Sequence, residues 1–343
     1  MPLGVILSAG DPIEDWLTWK QYSQGRSAGT VSKYRGYVRR LEEWAKQQGR
    51  PRLALTTDEL EQFTGMTAHR MGLTPRSRRA LVAAVRGFYA WCKRAQLVPK
   101  DPAALLEYPE CGERLPRGAS MKTAETLLLA PDLSTFLGVR DAAILSVLIG
   151  CGIRLSGLVA LNESGLIWVE DDAGGERLVL RVREKGGKER LVPAPADTRL
   201  LIRAYLGHED LEHIDRQIKG GDRVLFVSTK NRSVPEHQYR GEARRLAERS
   251  VQDMITTYGR RCGLPEDEIH PHALRHLYGT EMTEEDVNLS ELQALMGHSR
   301  ADTTTTYIKL ATRKLAQSVD RASPITRMNT PARQLAQRLE KKQ

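Results

Sequence analysis

A histidine and an arginine that could act together on a phosphate group lie close in the sequence, at His272 and Arg275. Residues three apart lie on the same face of a helix. An arginine guanidinium can donate two parallel hydrogen bonds to phosphate oxygens. The pair therefore predicts an anion site with a titratable neighbour, although the pattern alone is a weak signal that many helices contain by chance.

The same stretch could instead bind a metal, since His270, His272 and His276 lie within seven residues. Histidines four apart on a helix suit zinc. However, the stretch lacks the glutamate of a His-Glu-x-x-His motif, and Arg275 would place a positive charge beside the ion. We therefore favour the phosphate site and expect no metal or other cofactor.

Four further stretches contain residues that suit phosphate chemistry, and they have a definite order. Residues 150–158 (GCGIRLSGL) contain Arg154, residues 184–190 (EKGGKER) contain Lys185, residues 295–299 (LMGHS) contain His298, and residues 303–308 (TTTTYI) contain Tyr307. Each of these residues alone is more often a solvated surface or turn residue. Together with the His272 stretch they form five separated motifs, which are not expected to coincide by chance.

This ordered set resembles the tyrosine recombinase (phage integrase) family. Catalytic domains of that family have an arginine in a G-[LI]-R-x-S-E-L segment and a lysine in a G-K-G-x-K-x-R hairpin. These are followed by H-x-x-R, L-G-H and a nucleophilic tyrosine. The resemblance covers about residues 11–310 and is to the simple two-domain, Xer- and Cre-like type without an arm-binding domain. It implies site-specific DNA recombination by strand cleavage and rejoining.

The resemblance also implies the nucleophile and the groups that stabilise the transition state. Tyr307 would attack a DNA phosphate and form a 3′-phosphotyrosyl bond, while Arg154 and Arg275 clamp the non-bridging oxygens, where charge builds. A phenol with a pKa near 10 is a poor nucleophile at neutral pH, so a cationic pocket and a nearby base are needed. Because the covalent link conserves the phosphodiester energy, neither ATP nor a metal is expected.

Three further roles follow from the same resemblance. Lys185 would be the general acid for the departing 5′ oxygen, His298 would donate a hydrogen bond, and His272 would assist proton transfer at the tyrosine. Lys188 lies in the same hairpin as Lys185 and stays open as an alternative, because residues 171–176 lengthen the strand connection before it.

The sequence departs from the family pattern at Gly157. The family usually has an acidic residue here, three positions after the first arginine, where it buttresses the arginine-bearing segment. We therefore expect that support to come from elsewhere in this chain.

Residues 11–106 are predicted to form an all-helical domain, the family's core-binding domain. Its first helix begins at Asp11-Pro12, with aspartate as the N-cap and proline in the first turn. Three more helices are predicted at about residues 30–48, at about 57–71, and from Thr74-Pro75 to about residue 93.

Basic residues on two of these helices are candidates for DNA binding. The fourth helix carries Arg76, Arg79, Arg86 and Lys93 along one stripe, with small residues between them that would let a backbone approach DNA. The alternative is a solvated basic face. Arg35 and Arg39 on the second helix favour the DNA interpretation.

Residues 107–122 are rich in Pro, Gly and charge and are predicted to be a linker. The catalytic domain is assigned to 123–310. It contains a buried helix at about 140–149, a helix beginning near Arg154, short strands at 166–170, 178–182 and 190–192, and mostly helices from about 195 to 320. The expected fold is therefore mainly α with a small β-sheet.

Residues 311–343 are assigned to a carboxyl-terminal tail with two amphipathic helices, separated at Ser323-Pro324. In the family the tail commonly docks on a neighbouring protomer, so docking in trans is expected. A basic tail that only adds electrostatic affinity is the alternative. Four protomers on two duplexes, each with a specific core site, are the assembly that the resemblance implies.

The composition is compatible with a nucleic-acid partner. The 343 residues have a formal net charge of +9. By segment, this is +7 for residues 1–120, −4 for 121–310 and +6 for 311–343, so the basic excess lies at the two ends.

Four dispersed cysteines indicate neither a zinc ribbon nor a redox pair. The longest apolar run is too short to span a bilayer, and we expect a cytoplasmic protein without a membrane partner.

Two other functions remain compatible with these residues. A type IB-like topoisomerase would use a similar set to relax supercoils, and plasmid relaxation without recombination would favour it. A DNA-binding protein whose catalytic site has decayed is the second alternative, to which Gly157 gives some support.

Overall fold

The computed structural model describes residues 10–112, 118–170, 175–183, 189–231, 234–285, 287–296 and 315–332. The chain divides into two compact units, residues 1–114 and 115–343. The division falls inside the stretch 107–122 that the sequence predicts as a linker. Each unit has its own apolar core.

The first unit is built from helices α1 Pro12–Tyr22, α2 Ala28–Gln47, α3 Thr57–Gln62, α4 Ala68–Arg70 and α5 Pro75–Arg94. The predicted caps are present, since Asp11 accepts a hydrogen bond from the Ile13 amide at 3.1 Å and Thr74 accepts one from the Ser77 amide at 3.3 Å. Trp16 lies at the centre of the core. Its ring is 5.6 Å from that of Phe88, at 75° to it.

The third predicted helix is interrupted. A turn of π-helix at Phe63–Thr67 separates α3 from α4. Gly65 lies inside this turn, where the missing side chain weakens regular helix. The Thr64 hydroxyl donates to the Leu60 carbonyl at 2.8 Å, an i−4 bond that bends helices. The interruption lets Phe63 and Thr64 both be buried.

The second unit is mostly helical. Its helices are α6 Met121–Leu129, α7 Phe136–Cys151, α8 Leu155–Val159, α9 Ala196–Leu206, α10 Glu209–Glu212, α11 Glu248–Arg261, α12 Pro271–Glu284, α13 Leu289–Met296 and α14, residues 315–322. Helix α7 is buried along nearly its whole length and lies at the centre of the core. This confirms the predicted buried helix, which extends further at both ends than the sequence indicates.

One small antiparallel sheet has the order β1-β2-β3, with β1 Leu166–Glu170, β2 Glu176–Arg183 and β3 Glu189–Ala194. The register pairs Leu166 with Leu180 and Val182 with Arg190. The three predicted strands are thereby confirmed, and so is the fold class, mainly α with a small sheet. The predicted turn at Gly186-Gly187 lies outside the described residues.

Within the stretch of about 195–320 that is predicted to be mostly helical, the described residues of 213–247 form no α-helix. Short 3-10 turns and isolated bridges replace helix here, and the apolar run Val224–Val227 is fully buried. Gly220 and Gly221, with φ of +92° and +83°, reverse the chain before this run. Such left-handed positions favour glycine and interrupt regular helix.

Residues 315–332 pack into the core of the second unit. Val319, Ala322 and Ile325 are fully buried there, and the Ser323 hydroxyl donates to the Gly150 carbonyl at 2.8 Å. Part of the predicted tail is therefore attached to its own protomer. Docking in trans stays a prediction for residues 333–343, which lie outside the described residues.

Candidate active site

The candidate site is built around the carboxyl end of α7, where Gly152 changes the direction of the chain. Its φ of +57° is left-handed, and a Cβ placed there would lie 2.2 Å from Cδ1 of Tyr278 on α12. Only glycine fits both the backbone conformation and this close approach. The chain then reaches Arg154, which immediately precedes α8 and is half-buried.

Arg275 joins this segment to two helices. Helix α12 begins with His270 as its N-cap, whose Nδ1 accepts from the Ala273 amide at 3.0 Å. One turn later the buried Arg275 guanidinium donates through Nη2 to the Met296 carbonyl at 2.6 Å, and through Nη1 to the Gly152 carbonyl. The arginine therefore fixes α12 against the end of α7 and the end of α13.

His272 lies on α12 and is exposed to solvent. Partial burial lowers its pKa below the ordinary value of 6.5. Neighbouring cationic groups lower it further; these are His276, Arg275, His270 and Arg154. The lowered pKa of His272 favours the neutral imidazole near pH 7.

The space where the family's acid would project from Gly157 is filled by a strand residue. A Cβ at Gly157 would lie 2.8 Å from Cγ1 of Val182 on β2, and Val182 is itself fully buried. A branched side chain cannot swing away easily. Val182 of β2 therefore packs on α8 at Gly157, next to the Arg154 segment.

The other three predicted catalytic residues, Lys185, His298 and Tyr307, lie outside the described residues. Their assignments stay predictions. The elements that flank them are described: β2 ends at Arg183 and β3 begins at Glu189, on either side of the Lys185 stretch. Helix α13 ends at Met296, directly before the Gly297-His298 motif.

Two of the predicted DNA-binding residues are held by carboxylates within the first unit. Arg35 Nη2 lies 2.8 Å from Glu14 Oε2, and Arg39 bonds to Asp11, Glu14 and Glu42. The hydrogen bond from Arg35 lowers the pKa of the Glu14 carboxyl. These long-range pairs neutralise much of the charge that made α2 a candidate, while the DNA-binding assignment itself stays a prediction.

The stripe on α5 has a different environment. The guanidinium carbons of Arg79 and Arg86 lie 4.9 and 5.3 Å from the ring centroid of Tyr108. Arg86 also donates to the Leu106 carbonyl at 2.9 Å. Cation–π contacts and a carbonyl bond leave the positive charge in place. Arg76 and Lys93 are exposed on the same helix. Sequence reasoning missed Tyr108, which contacts α5 from the predicted linker.

The described residues form no metal centre that we can identify. Within the described ranges, no three His, Cys, Asp or Glu side chains come together as a metal site. The rings of His272 and His276 are 6.3 Å apart between centroids. In the same part of the chain, no helix is both long and apolar enough to cross a membrane.

Comparison with known families identifies both units. Residues 120–314 match the model of the phage integrase family, and residues 13–96 match its N-terminal SAM-like domain. The chain belongs to the phage integrase family. The tyrosine recombinase XerD of Proteus mirabilis is 32% identical over 303 residues, covering 88% of this chain and 90% of that protein. XerC of Myxococcus xanthus is 32% identical over 251 residues, covering 73% and 77%.

Solved structures of the family share the fold. XerH recombinase bound to its difH substrate after cleavage aligns with a TM-score of 0.62 at 14% identity, covering 89% of this chain and 83% of that one. A lambda integrase fragment, a dimer on a COC′ core site, aligns with a TM-score of 0.56 at 15% identity, covering 85% and 98%. At these identities the likeness shows the fold alone.

Family membership and the close Xer relatives establish the activity. The chain is a tyrosine recombinase, an enzyme that cleaves and rejoins DNA through a tyrosine and performs site-specific recombination. The predictions of family, fold class and function from the sequence are thereby confirmed. The roles of individual residues, the DNA site and the assembly belong to the proposal below.

Proposed function

We propose that Tyr307 is the tyrosine that attacks, and that Arg154, Lys185, His272, Arg275 and His298 form the pocket around the scissile phosphate. The Tyr307 oxygen forms a bond to phosphorus while the bond from phosphorus to the 5′ oxygen breaks. The phenolic proton passes to His272, and Lys185 gives a proton to the leaving oxygen. The 3′-phosphotyrosyl link is then reversed by a 5′ hydroxyl from the partner strand.

The placement of Arg275 is the observation that carries this proposal. Its guanidinium is fixed by hydrogen bonds to two main-chain carbonyls, of Gly152 and Met296. Preorganised cations aimed at developing charge are among the largest contributions to catalysis. These two carbonyls lie two residues along the chain from Arg154 and from His298, the next two residues of the proposed pocket.

The environment of His272 supports its role as the proton acceptor. Its lowered pKa favours the neutral imidazole near pH 7, the form that can take the phenolic proton. The nearby arginines then favour the phenolate over the phenol, since an opposite charge stabilises an ionised group.

The substrate of this proposal is double-stranded DNA with a specific core site, cut by a tetramer that holds two duplexes. Structural neighbours are recombinases bound to DNA, and the lambda integrase neighbour is a dimer on its core site. The basic excess of residues 1–120 suits binding to phosphates. Residues 333–343 are the part of the tail proposed to dock on a neighbouring protomer.

A nicked core-site duplex, which loses a short fragment on cleavage and cannot religate, tests the proposal. The wild-type protein should form a protease-sensitive covalent band on a denaturing gel, with or without EDTA. Tyr307→Phe should bind the duplex equally well and form no such band, because only the attacking oxygen is lost. An undiminished band in the variant would contradict the nucleophile assignment.

The same preparation separates recombination from relaxation. Wild-type protein should exchange strands between two core-site duplexes. Relaxation of supercoiled plasmid without any exchange would favour the topoisomerase alternative, and loss of cleavage in EDTA with recovery in zinc would favour a metal site at the histidines.

A further inference from the structure

The end of the predicted linker lies directly against helix α12. We call residues 118–120 the linker end. The Ala119 amide donates a hydrogen bond to the Ala273 carbonyl on α12 at 3.1 Å. The next amide, of Ser120, donates to Glu268 Oε2 at 2.8 Å, shortly before α12 begins. Two main-chain amides therefore attach the linker end to α12 and to the residues that lead into it.

Gly118 brings the linker end so close to α12 that a side chain would not fit without a shift. A Cβ placed there would lie 3.1 Å from the Leu277 amide nitrogen and 3.5 Å from His276 Cβ. The φ angle of Gly118 is outside the left-handed region. Glycine is therefore needed here because two segments of backbone approach closely, and not because the chain turns.

The linker end has little freedom to move away from α12. Ala119 is 5% exposed and belongs to the apolar core of the second unit. Ser120 is the N-cap of α6, where its hydroxyl accepts from the Thr123 amide at 3.1 Å. Because packed interiors yield little and transmit strain, a side chain at position 118 has to push on the main chain of α12.

The contacts of the linker end lie on both sides of Arg275 along α12. Ala273 is two residues before it, and His276 and Leu277 are the two residues after it. The guanidinium of Arg275 is fixed by two carbonyls of other segments, whereas the linker end fixes the main chain from which this side chain projects. The position of the guanidinium depends on both.

We propose that the linker end is a positioning element of the cleavage reaction, in which Gly118 lets α12 lie where Arg275 reaches the scissile phosphate. The inference rests on the proposed role of Arg275 in the catalytic pocket. It gives the end of the predicted linker a second task besides joining the two units. A side chain at position 118 displaces the arginine without changing any residue of the pocket.

Gly118→Val tests the inference, with Gly112→Val as the matched control. Gly112 lies in the same predicted linker, also with φ outside the left-handed region, and has nothing within 4 Å of an added Cβ. Gly118→Val should slow single-turnover cleavage of the nicked core-site duplex by about 10- to 100-fold at saturating protein, since a displacement of about 1 Å can cost about 10²-fold. Gly118→Ala, which needs a smaller shift, should slow it by about fivefold. Gly112→Val should cleave at the wild-type rate.

Binding is measured on the same variants by gel shift with a half-site. Affinity should stay within about twofold of wild type in each, because the linker end acts on the arrangement of the pocket and not on the capture of DNA. Urea denaturation shows which variants are folded under the assay conditions. Where Gly118→Val is not folded, Gly118→Ala and Gly112→Ala replace the valine pair.

A double-mutant cycle separates positioning of Arg275 from a general structural defect. In an Arg275→Ala background, Gly118→Val should add less than about twofold to the loss of cleavage, because the group that it displaces is already absent. A defect that is independent of Arg275 would instead multiply with that substitution.

Three results would overturn the positioning role alone: equal cleavage rates for the Gly118 and Gly112 variants, a parallel fall of half-site binding, or losses that multiply in the cycle. Arg275→Ala by itself tests the proposed function. Cleavage at the wild-type rate by that variant would overturn the role of Arg275, and this inference with it.

Discussion

Candidate arginines of the two units are held in chemically different ways, as Arg35 and Arg39 on α2 and Arg275 on α12 show. In the helical unit, Arg35 and Arg39 bond to carboxylates of Asp11, Glu14 and Glu42. In the catalytic unit, Arg275 bonds to main-chain carbonyls. A carboxylate cancels the charge of its arginine, whereas a carbonyl fixes the side chain and leaves the charge for a ligand. How an arginine is held therefore separates structural arginines from those that suit a phosphate.

The largest effect expected from this comparison is on Arg275. Arg275→Ala should slow covalent cleavage of a nicked duplex by about 10²- to 10³-fold, similar to the loss of one donor at an oxyanion site. Half-site binding, measured by gel shift, should change much less, because the group acts on charge that develops in the transition state. A parallel fall of binding and cleavage would make Arg275 a DNA-positioning residue instead.

The carbonyl that holds Arg275 gives the second prediction. Gly152→Ala should lower the free energy of unfolding by at least about 3 kcal/mol, since it combines a left-handed backbone with overpacking against Tyr278. Urea denaturation measures the loss. Gly263→Ala is the matched control, because Gly263 has φ of +67° with nothing within 4 Å of its added Cβ. It should cost about 1 kcal/mol, and equal losses at the two sites would exclude the Tyr278 contact as the cause.

The third prediction concerns the stripe on α5. Arg79 contacts the Tyr108 ring and keeps its charge. Arg79→Ala should weaken binding to any duplex and reduce the slope of log affinity against log salt by about one unit, if the side chain contacts one phosphate. Titrations at several salt concentrations measure the slope. An unchanged slope would assign the stripe to solvent.

The smallest effect is expected at Arg35, whose charge is already matched. Arg35→Ala should leave the salt slope unchanged and lower the free energy of unfolding by less than about 1 kcal/mol, since the pair with Glu14 is largely exposed. The same two assays measure both values. A slope reduced as much as in Arg79→Ala would remove the distinction between arginines paired with carboxylates and arginines that are not.

Local signals explain how much of the fold the sequence predicts. Helix α5 begins at Pro75 because Thr74 caps it, and cap and proline are neighbours in the chain. The three strands likewise follow from short apolar runs. The π turn at Phe63–Thr67 and the irregular stretch 213–247 were missed because their local signals, Gly65 and Gly220-Gly221, occur in helices, turns and loops alike.

The site shows the same limit. The order of motifs identifies Arg154, His272 and Arg275 as candidates, and the structure bonds Arg275 to the Gly152 carbonyl, two residues before Arg154. The sequence could not show that Gly152 and Met296 would hold Arg275, because any residue can supply a carbonyl. Nor could it show that Glu14, 21 residues away, would neutralise Arg35. Partners distant in sequence decide which of several similar arginines suits a phosphate.

The burial of residues 315–332 has a consequence for the proposed nucleophile. Before the Tyr307 stretch in the sequence, the Met296 carbonyl accepts a hydrogen bond from Arg275. After it, the Ser318 hydroxyl on α14 donates to Glu291 at 2.7 Å. Tyr307 is eight residues from Leu315, a covalent reach of at most about 28 Å at full extension. A reactant tethered at both ends to its own pocket has a high effective concentration there. The tether thereby favours attack by Tyr307 within its own protomer.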